Sequence, residues 1–527
     1  MSLFHRRKNN HNQKKNKQTV PNEHNPSLEP LSGIFNEDIQ KIKKTFQKSS
    51  DVIVRTFNIG NDESNNAAII FTDGLADSTA IQNFILESLM VDVKKGQISR
   101  IKLIQQIKNS ILTVGDIAEI RDFESLYTTV LSGNTVILIN GSTEAISAST
   151  AGWEDRAVSE PATQTLVRGP REGFTENLRT NTALLRRKIK DHNLYCEQKQ
   201  IGTLTKTNIA VMYIKGIVND KLVGEVHHRL DKIDIGGILE SGYIEELIQD
   251  ETFTPFPTIF NSERPDVIAA CLLEGRVAIL VDGTPFVLVV PSLFIQNFQV
   301  AEDYYQRSDI GSLLRLLRIT CFLIALFGPS FYIAVTTFHQ EMLPTPLLIS
   351  LAAQREGVPF PAFVEAVIME IAFEILREAG IRMPRAVGQA VSIVGALVLG
   401  QAAVEAGIVS ASMVIVVSLT AIANFVFPAY NMAISVRMLR FGMMFFAASF
   451  GLYGITVGSL ALLMHLNSLR SFGVPYMAPF SPLIPEDLKD TLVRFPQWAL
   501  FTRPRLINQK NIKRQPSPAA AKPEPEK

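Results

Sequence analysis

In the stretch FPAFVEAVIMEIAFEILREAG, residues 360–380, four glutamates and one arginine interrupt an otherwise apolar run. At 100° per residue Glu370, Glu374, Arg377 and Glu378 share one arc about 100° wide, and Glu365 faces the other way. Carboxylates at that density do not face lipid; they line water, pair with cations or lie at a membrane surface. Lining a water-filled path, they would attract cations and repel anions. Lying flat, the same helix would be an interfacial amphipath. Both readings stay open on the sequence.

A second cluster, RGPREGFTENLRTNTALLRRKI, spans Arg168 to Ile189. Gly169, Pro170 and Gly173 fix a turn that exposes Arg171 and Glu172 before Phe174. A helix follows, with Thr175 as N-cap, Leu178, Leu185 and Ile189 on an apolar face, Arg179, Arg186 and Lys190 on another, and an end near Asp191. This is no phosphate-cradling loop: the two glycines are one residue too close, and Phe174 stands where the lysine belongs. Arginine forks suit carboxylates across an interface, so the motif reads as an assembly surface, with a solvated connector as the plainer alternative. His227-His228 lack the i, i+4 spacing of metal ligands, and Cys196, Cys271 and Cys321 lack metal or redox spacing. No catalytic grouping, cofactor or metal is implied, and the chain does not read as an enzyme.

The elements that must position these residues divide the 527-residue chain. Up to about Arg307 the composition is that of soluble domains, whereas Leu313 to Leu466 is nearly all apolar. A net charge of +1 argues against nucleic acid as a partner. The basic opening residues lack an apolar core and read as a disordered cytoplasmic tail. Ile319 to Phe338, Ala386 to Val404, Val409 to Phe427 and Phe441 to Leu466 are bilayer-length runs. Arg315 and Arg318 mark the cytoplasmic start of the first. Gly388, Ser392, Ala396 and Gly400 repeat every fourth residue, a stripe that lets another helix approach closely. If the acidic helix also spans, five crossings put the basic C-terminus outside; if it re-enters or lies flat, four return it, and the larger basic block favours four.

The soluble half repeats itself. LSGNTVILINGS (131–142) matches LEGRVAILVDGT (273–284), and the turn glycines differ by 283 − 141 = 142. AAIIFTDGLADS (67–78) matches IAVMYIKGIVND (209–220) in the same register. Apolar strands, helical segments and hairpins at Asn140-Gly141 and Asp282-Gly283, read as type I′ turns, predict two related units. The fold class is therefore an α/β cytoplasmic head of two related subdomains followed by an all-α multi-spanning membrane domain. Its divisions are a tail (1–34), a first subdomain (35–165), a connector (166–194), a second subdomain (195–307), a transmembrane domain (312–468) and a C-terminal cytoplasmic tail (469–527).

GPREGFTENLRTNTALLRRKI, PFPTIFNSERPDVIAACLLEGRVAILVDGTPF, QREGVPFPAFVEA and IVGALVLGQAAVEAGIVS resemble, in order, the A-subunit (GerA) family of bacterial spore germinant receptors, from about Phe35 to Trp498. The resemblance implies a subunit in the inner membrane of a spore, working with a transporter-like B subunit and a lipoprotein C subunit and assembling into a ring with a membrane pore. It marks Gly169 to Phe174 as one signature and Ser262, Glu263, Arg264, Pro265 and Asp266 as another. A paralogous spore-membrane protein supporting ion or dipicolinate release without nutrient sensing fits the same motifs. A secondary transporter would repeat its spans, whereas here the repeat lies in the soluble half.

Overall fold

Three glycine pairs 142 residues apart keep one backbone conformation. In the computed structural model of the chain, φ is 82° at Gly74 and 83° at Gly216, 94° at both Gly133 and Gly275, and 79° at Gly141 and 90° at Gly283. The structure describes residues 29–59, 66–92, 116–152, 160–161, 163–383, 400–508 and 511–514. Around these turns two antiparallel five-stranded sheets share one order. The first runs β1 (Val52–Asn58), β2 (Asn66–Thr72), β4 (Thr135–Ile139), β5 (Ala145–Ala148), β3 (Ile117–Ile120). The second runs β6 (Leu194–Ile201), β7 (Thr207–Ile214), β9 (Val277–Val281), β10 (Val287–Val290), β8 (Phe260–Ser262). The central strands TVILI and VAILV are buried at every position, because apolar layers cover both faces of each sheet.

The repeat extends beyond the two matched stretches. α1 (Phe35–Thr45) and α2 (Phe123–Leu131) set Ile39, Ile42, Leu126 and Val130 on one face of the first sheet. α3 (Leu178–Lys188) sets Leu185 on the second sheet, α4 (Asp220–Asp231) and α5 (Ser241–Ile248) cover its opposite face, and α6 (Pro265–Leu273) lies beside α3. Ser32 donates to Asp38 Oδ1 from its N–H and Oγ, at 3.1 and 2.8 Å, and Thr175 does the same to Asn181 at 2.8 and 3.2 Å. The helix read as a connector thus packs on the second sheet as α1 packs on the first. Its cap is Asn177, which accepts from the N–H groups of Arg179 and Thr180, and it ends at Lys188; Thr175 is held by Asn181 and is not the cap.

Neither hairpin is the expected type I′ turn. Residues 140–144 and 282–286 separate the strands, and in that longer loop only the glycine takes positive φ, which relieves Asn140 and Asp282 of it. Asp282 Oδ1 instead accepts the Leu178 N–H at 3.1 Å, and the Gly283 N–H donates to Glu176 O at 2.7 Å, so the second hairpin caps α3.

The head ends in one turn of helix, α7 (Glu302–Tyr305), from which α8 (Ser308–Thr337) leaves. α9 (Ala362–Arg382), α10 (Ala411–Phe425) and α11 (Tyr430–Ser468) pack beside it. Among the described residues α8 and α11 are long and apolar enough to cross a membrane, and α10 is a shorter apolar helix. Gly451, with φ 61° and ψ −139°, breaks α11 into arms 430–450 and 452–468. The arms fold back on each other: Met432 and Leu466 share one apolar cluster, and Met443 lies against Gly458. Ser435 and His465 both reach the head, on Pro255 O and Thr254 Oγ1. A straight helix would hold those two residues about 45 Å apart. The hairpin tip sits beside Phe338 and His339, at the end of α8 far from the head.

α9 starts at that far end, where Glu365 meets Ser410, and finishes at the head end, where Arg377 lies 5.0 Å over the Phe425 ring. It therefore runs alongside α8, α10 and α11, with Ile371 and Ile375 exposed on its outer side. Val404 is again at the far end, clustered with Ile333 and Met413. After α11 the chain returns to the head, with the Ser471 Oγ on Thr258 O and the Arg503 Nε on Leu273 O. Neither sequence-based span count describes this path: the tail comes back because the expected last span, Phe441 to Leu466, is one arm and part of another. Gly388, Ser392 and Ala396 of the small-residue stripe lie outside the described residues; Gly400 lies against Val414 of α10.

Candidate functional site

α9 sets its carboxylates against two arginines of α11. Glu370 pairs with Arg440, each about 2% exposed, and the Arg440 Nε also donates to Ala325 O of α8 at 2.7 Å. One turn on, Glu374 accepts from Arg437 at 2.6 Å and from Arg377 at 3.3 Å. Glu378 is exposed and held by Arg382 at 2.6 Å. Glu365 is fully buried and accepts from the Ser410 N–H and Oγ at 2.9 and 2.8 Å, completing the cap of α10, with Arg355 at 3.4 Å. The structure thus brings Glu370, Glu374 and Arg377 into one charged ladder and sends Glu365 to a helix terminus. Arg437 and Arg440 escaped the sequence reading because they precede the apolar window beginning at Phe441, yet two arginines within VRMLRF beside a span were the available signal.

Ion pairs in an apolar bundle survive only while paired, since desolvation costs several kcal/mol per ion. Glu370 Oε1, Arg437 Nε and Arg440 Nη2 find no hydrogen-bond partner among the described residues. Parting α9 from α11 would leave Glu370, Arg437 and Arg440 without their counter-charges unless water or ions entered, while Glu374 would keep Arg377 of its own helix. The ladder therefore ties α9 to α11.

The two signature motifs meet at the head end. Gly169 lies under the Tyr305 ring, where any Cβ would come within 2.8 Å. Pro170 O accepts from Arg264 Nη2 at 2.9 Å, and the Phe174 N–H donates to Glu263 O at 2.7 Å while its ring enters the second core. Gly173 is buried. Arg171 is exposed beside Glu160, and Glu172 accepts from Arg187 and Lys188. Ser262 donates to Gln164, and Pro265 opens α6. Arg179 is tied to Asp73 at 2.6 Å and to Ser78 at 3.0 Å, in the first half of the same head. Arg186, expected on the basic surface, is fully buried: Nε and Nη2 grip Asp51 at 2.7 and 2.9 Å.

α7 carries Asp303, Tyr304 and Tyr305. Asp303 accepts from Arg315 at 3.0 Å and from Arg318 at 2.7 and 2.8 Å, so those arginines are buried at a joint and do not face headgroups. Tyr304 donates to Asp490 at 2.8 Å and Tyr305 to Asp266 at 2.5 Å. Burial pushes both tyrosine hydroxyls up, which keeps them protonated donors, and pushes the Asp490 carboxyl above its ordinary range against the pull of Arg315. Among the described residues no group of three or more His, Cys, Asp or Glu side chains is placed to hold a metal ion.

The family model described as Bacillus/Clostridium GerA spore germination protein matches residues 40–506. Spore germination protein KA of Bacillus subtilis (strain 168) is 51% identical over 93% of this chain and 91% of its own. The membrane protein YfkQ of the same organism is 43% identical over 92% of this chain and 94% of its own. The crystallised N-terminal domain of the A subunit of the Bacillus megaterium spore germinant receptor GerK3 is 41% identical, covers 51% of this chain and 98% of that domain, and superposes with a TM-score of 0.42.

Proposed function

This chain belongs to the GerA family of Bacillus/Clostridium spore germination proteins, and from that premise we propose that it serves as the A-type subunit of a germinant receptor in the inner membrane of the spore. It assembles with further copies of itself, a transporter-like B subunit and a lipoprotein C subunit, keeps its head in the cytoplasm, and contributes to a cation path that opens on nutrient sensing. Its part is conformational and not catalytic. The observation that carries this reading is the ladder of Glu370 and Glu374 with Arg440 and Arg437, buried at its first rung and half-buried at its second. At rest the arginines neutralise the carboxylates and the path is shut. When α9 and α11 part, acidic side chains face water and draw cations.

The test must keep the fold. Removing Glu370 alone would leave Arg440 buried without a counter-charge, at a cost of about 3–5 kcal/mol. Replacing the buried rung whole, Glu370→Gln with Arg440→Gln, removes charge in a matched pair and leaves Glu374 with Arg377 and Arg437. We expect normal protein abundance and a fall of about ten-fold or more in cation release from stimulated spores. Release at the wild-type rate from such spores would remove the ladder from the ion path.

A further inference from the structure

Consecutive residues of α7 hold three different parts of the molecule. Tyr305 binds Asp266 of the second subdomain, Tyr304 binds Asp490 of the C-terminal segment, and Asp303 binds Arg315 and Arg318 of α8. We propose that α7 is a mechanical relay, a single rigid turn through which the packing of the two signature motifs sets the position of α8. The inference deepens the reading above and rests on it for the signal that travels, though not for the linkage itself.

On the head side, Asp266 Oδ2 is shared between Tyr305 and Arg264, and Arg264 holds the backbone carbonyls of Gln164 and Pro170. The missing side chain at Gly169 lets the GPREGF turn close on the same tyrosine ring. A shift of that turn therefore presses on α7 directly. On the membrane side, the Asp303 side chain is fully buried, and Arg315 bridges it to Asp490 at 2.9 Å, so three attachments close into one network. A displacement of this one helical turn as a body moves all three attachments together.

A relay also needs room. Open clefts of about 310 and 260 Å³ border the segment that feeds α7, and both are walled by Phe260, Val267, Gln296, Gln299, Val300 and Ala301. Close-packed interiors resist displacement, whereas a segment bordered by open space can shift into it.

The experiment is hydrogen exchange on the full-length chain in lipid nanodiscs, with Tyr305→Phe and Gly169→Ala. Tyr305→Phe keeps the ring and removes the bond to Asp266; Gly169→Ala pushes on the ring from a motif outside α7 and α8. We expect both to raise exchange over residues 308–318 by about ten-fold while β9 and β10 exchange as in wild type. Wild-type exchange over 308–318 in both variants overturns the relay. Should Gly169→Ala also loosen β9 and β10, Tyr305→Phe decides alone, a rise supporting the relay and no rise ending it. No germinant is needed, so the two readings fail separately. Unchanged exchange would sink the relay only, and normal germination of spores lacking this chain would sink the receptor reading only.

Discussion

Arg186 illustrates what a helical wheel does and does not reveal about a single residue. Its spacing from Arg179 and Lys190 puts it on a basic face, yet it is buried beside Asp51, which stands at the start of β1 in the other half of the head. A local pattern predicts a face but not what that face meets, and the partner is 135 positions away. Breaking the pair from one side leaves Asp51 charged and buried, so Arg186→Met should destabilise the junction between the halves by about 3 kcal/mol or more. Adding Asp51→Leu should restore most of that, because a well-packed apolar pair substitutes for a buried ion pair. Amide protection in β1 and β6 of the full chain measures both; equal protection in the single and double variants would show that the pair carries no such strain. Glu370 and Glu374 follow the same rule. Their arc was legible from 100° periodicity, but Arg440 and Arg437 lie 70 and 63 positions away and are joined to them only by the fold.

At the scale of elements, apolar runs found β2, β7, the hairpin strands and the apolar part of α8, and a fixed offset found the repeat, because all are written in neighbouring residues; the edge strands β1, β3, β6 and β8 carry no such run. The reversal inside α11 was hidden. Phe441 to Leu466 has the length and hydropathy of one crossing, and glycines in such a run read equally well as packing positions. What separates the two cases is backbone conformation: Gly451 sits at φ 61°, ψ −139°, which a residue with a Cβ rarely adopts, with His339 and Phe338 closing the space around it. Gly451→Ala should therefore open the hairpin. Cysteines introduced as Met432→Cys and Leu466→Cys should cross-link in the parent chain and lose most of that cross-linking when Gly451→Ala is added. Cross-linking retained at the parental level would mean that the turn tolerates a side chain. The type I′ turns were misread for a related reason, since Asn-Gly and Asp-Gly specify that turn only when two residues alone connect the strands.

For the whole molecule, the consequence of the folded-back α11 is sidedness: the head and residues 469–508 share one end of the bundle and Met342 lies at the other. Single cysteines at Leu204 and Leu483, exposed by 85% and 67%, should react with a membrane-impermeant maleimide from one face, and a cysteine at Met342 from the opposite face. Labelling of the Leu483 position together with Met342 would contradict the described path. Charge counting alone left this open, because basic residues flank both candidate sides and two of them, Arg315 and Arg318, are spent on Asp303. The return of the tail also fixes an order of birth. Asp490 leaves the ribosome 186 residues after the tyrosine it must receive, so the joint at α7 stays incomplete until α8 to α11 have been made. A product truncated just before Asp490 would carry α8 to α11 and still lack its clasp. Cellular proteolysis would then meet an unfinished joint as the mark of an unfinished chain.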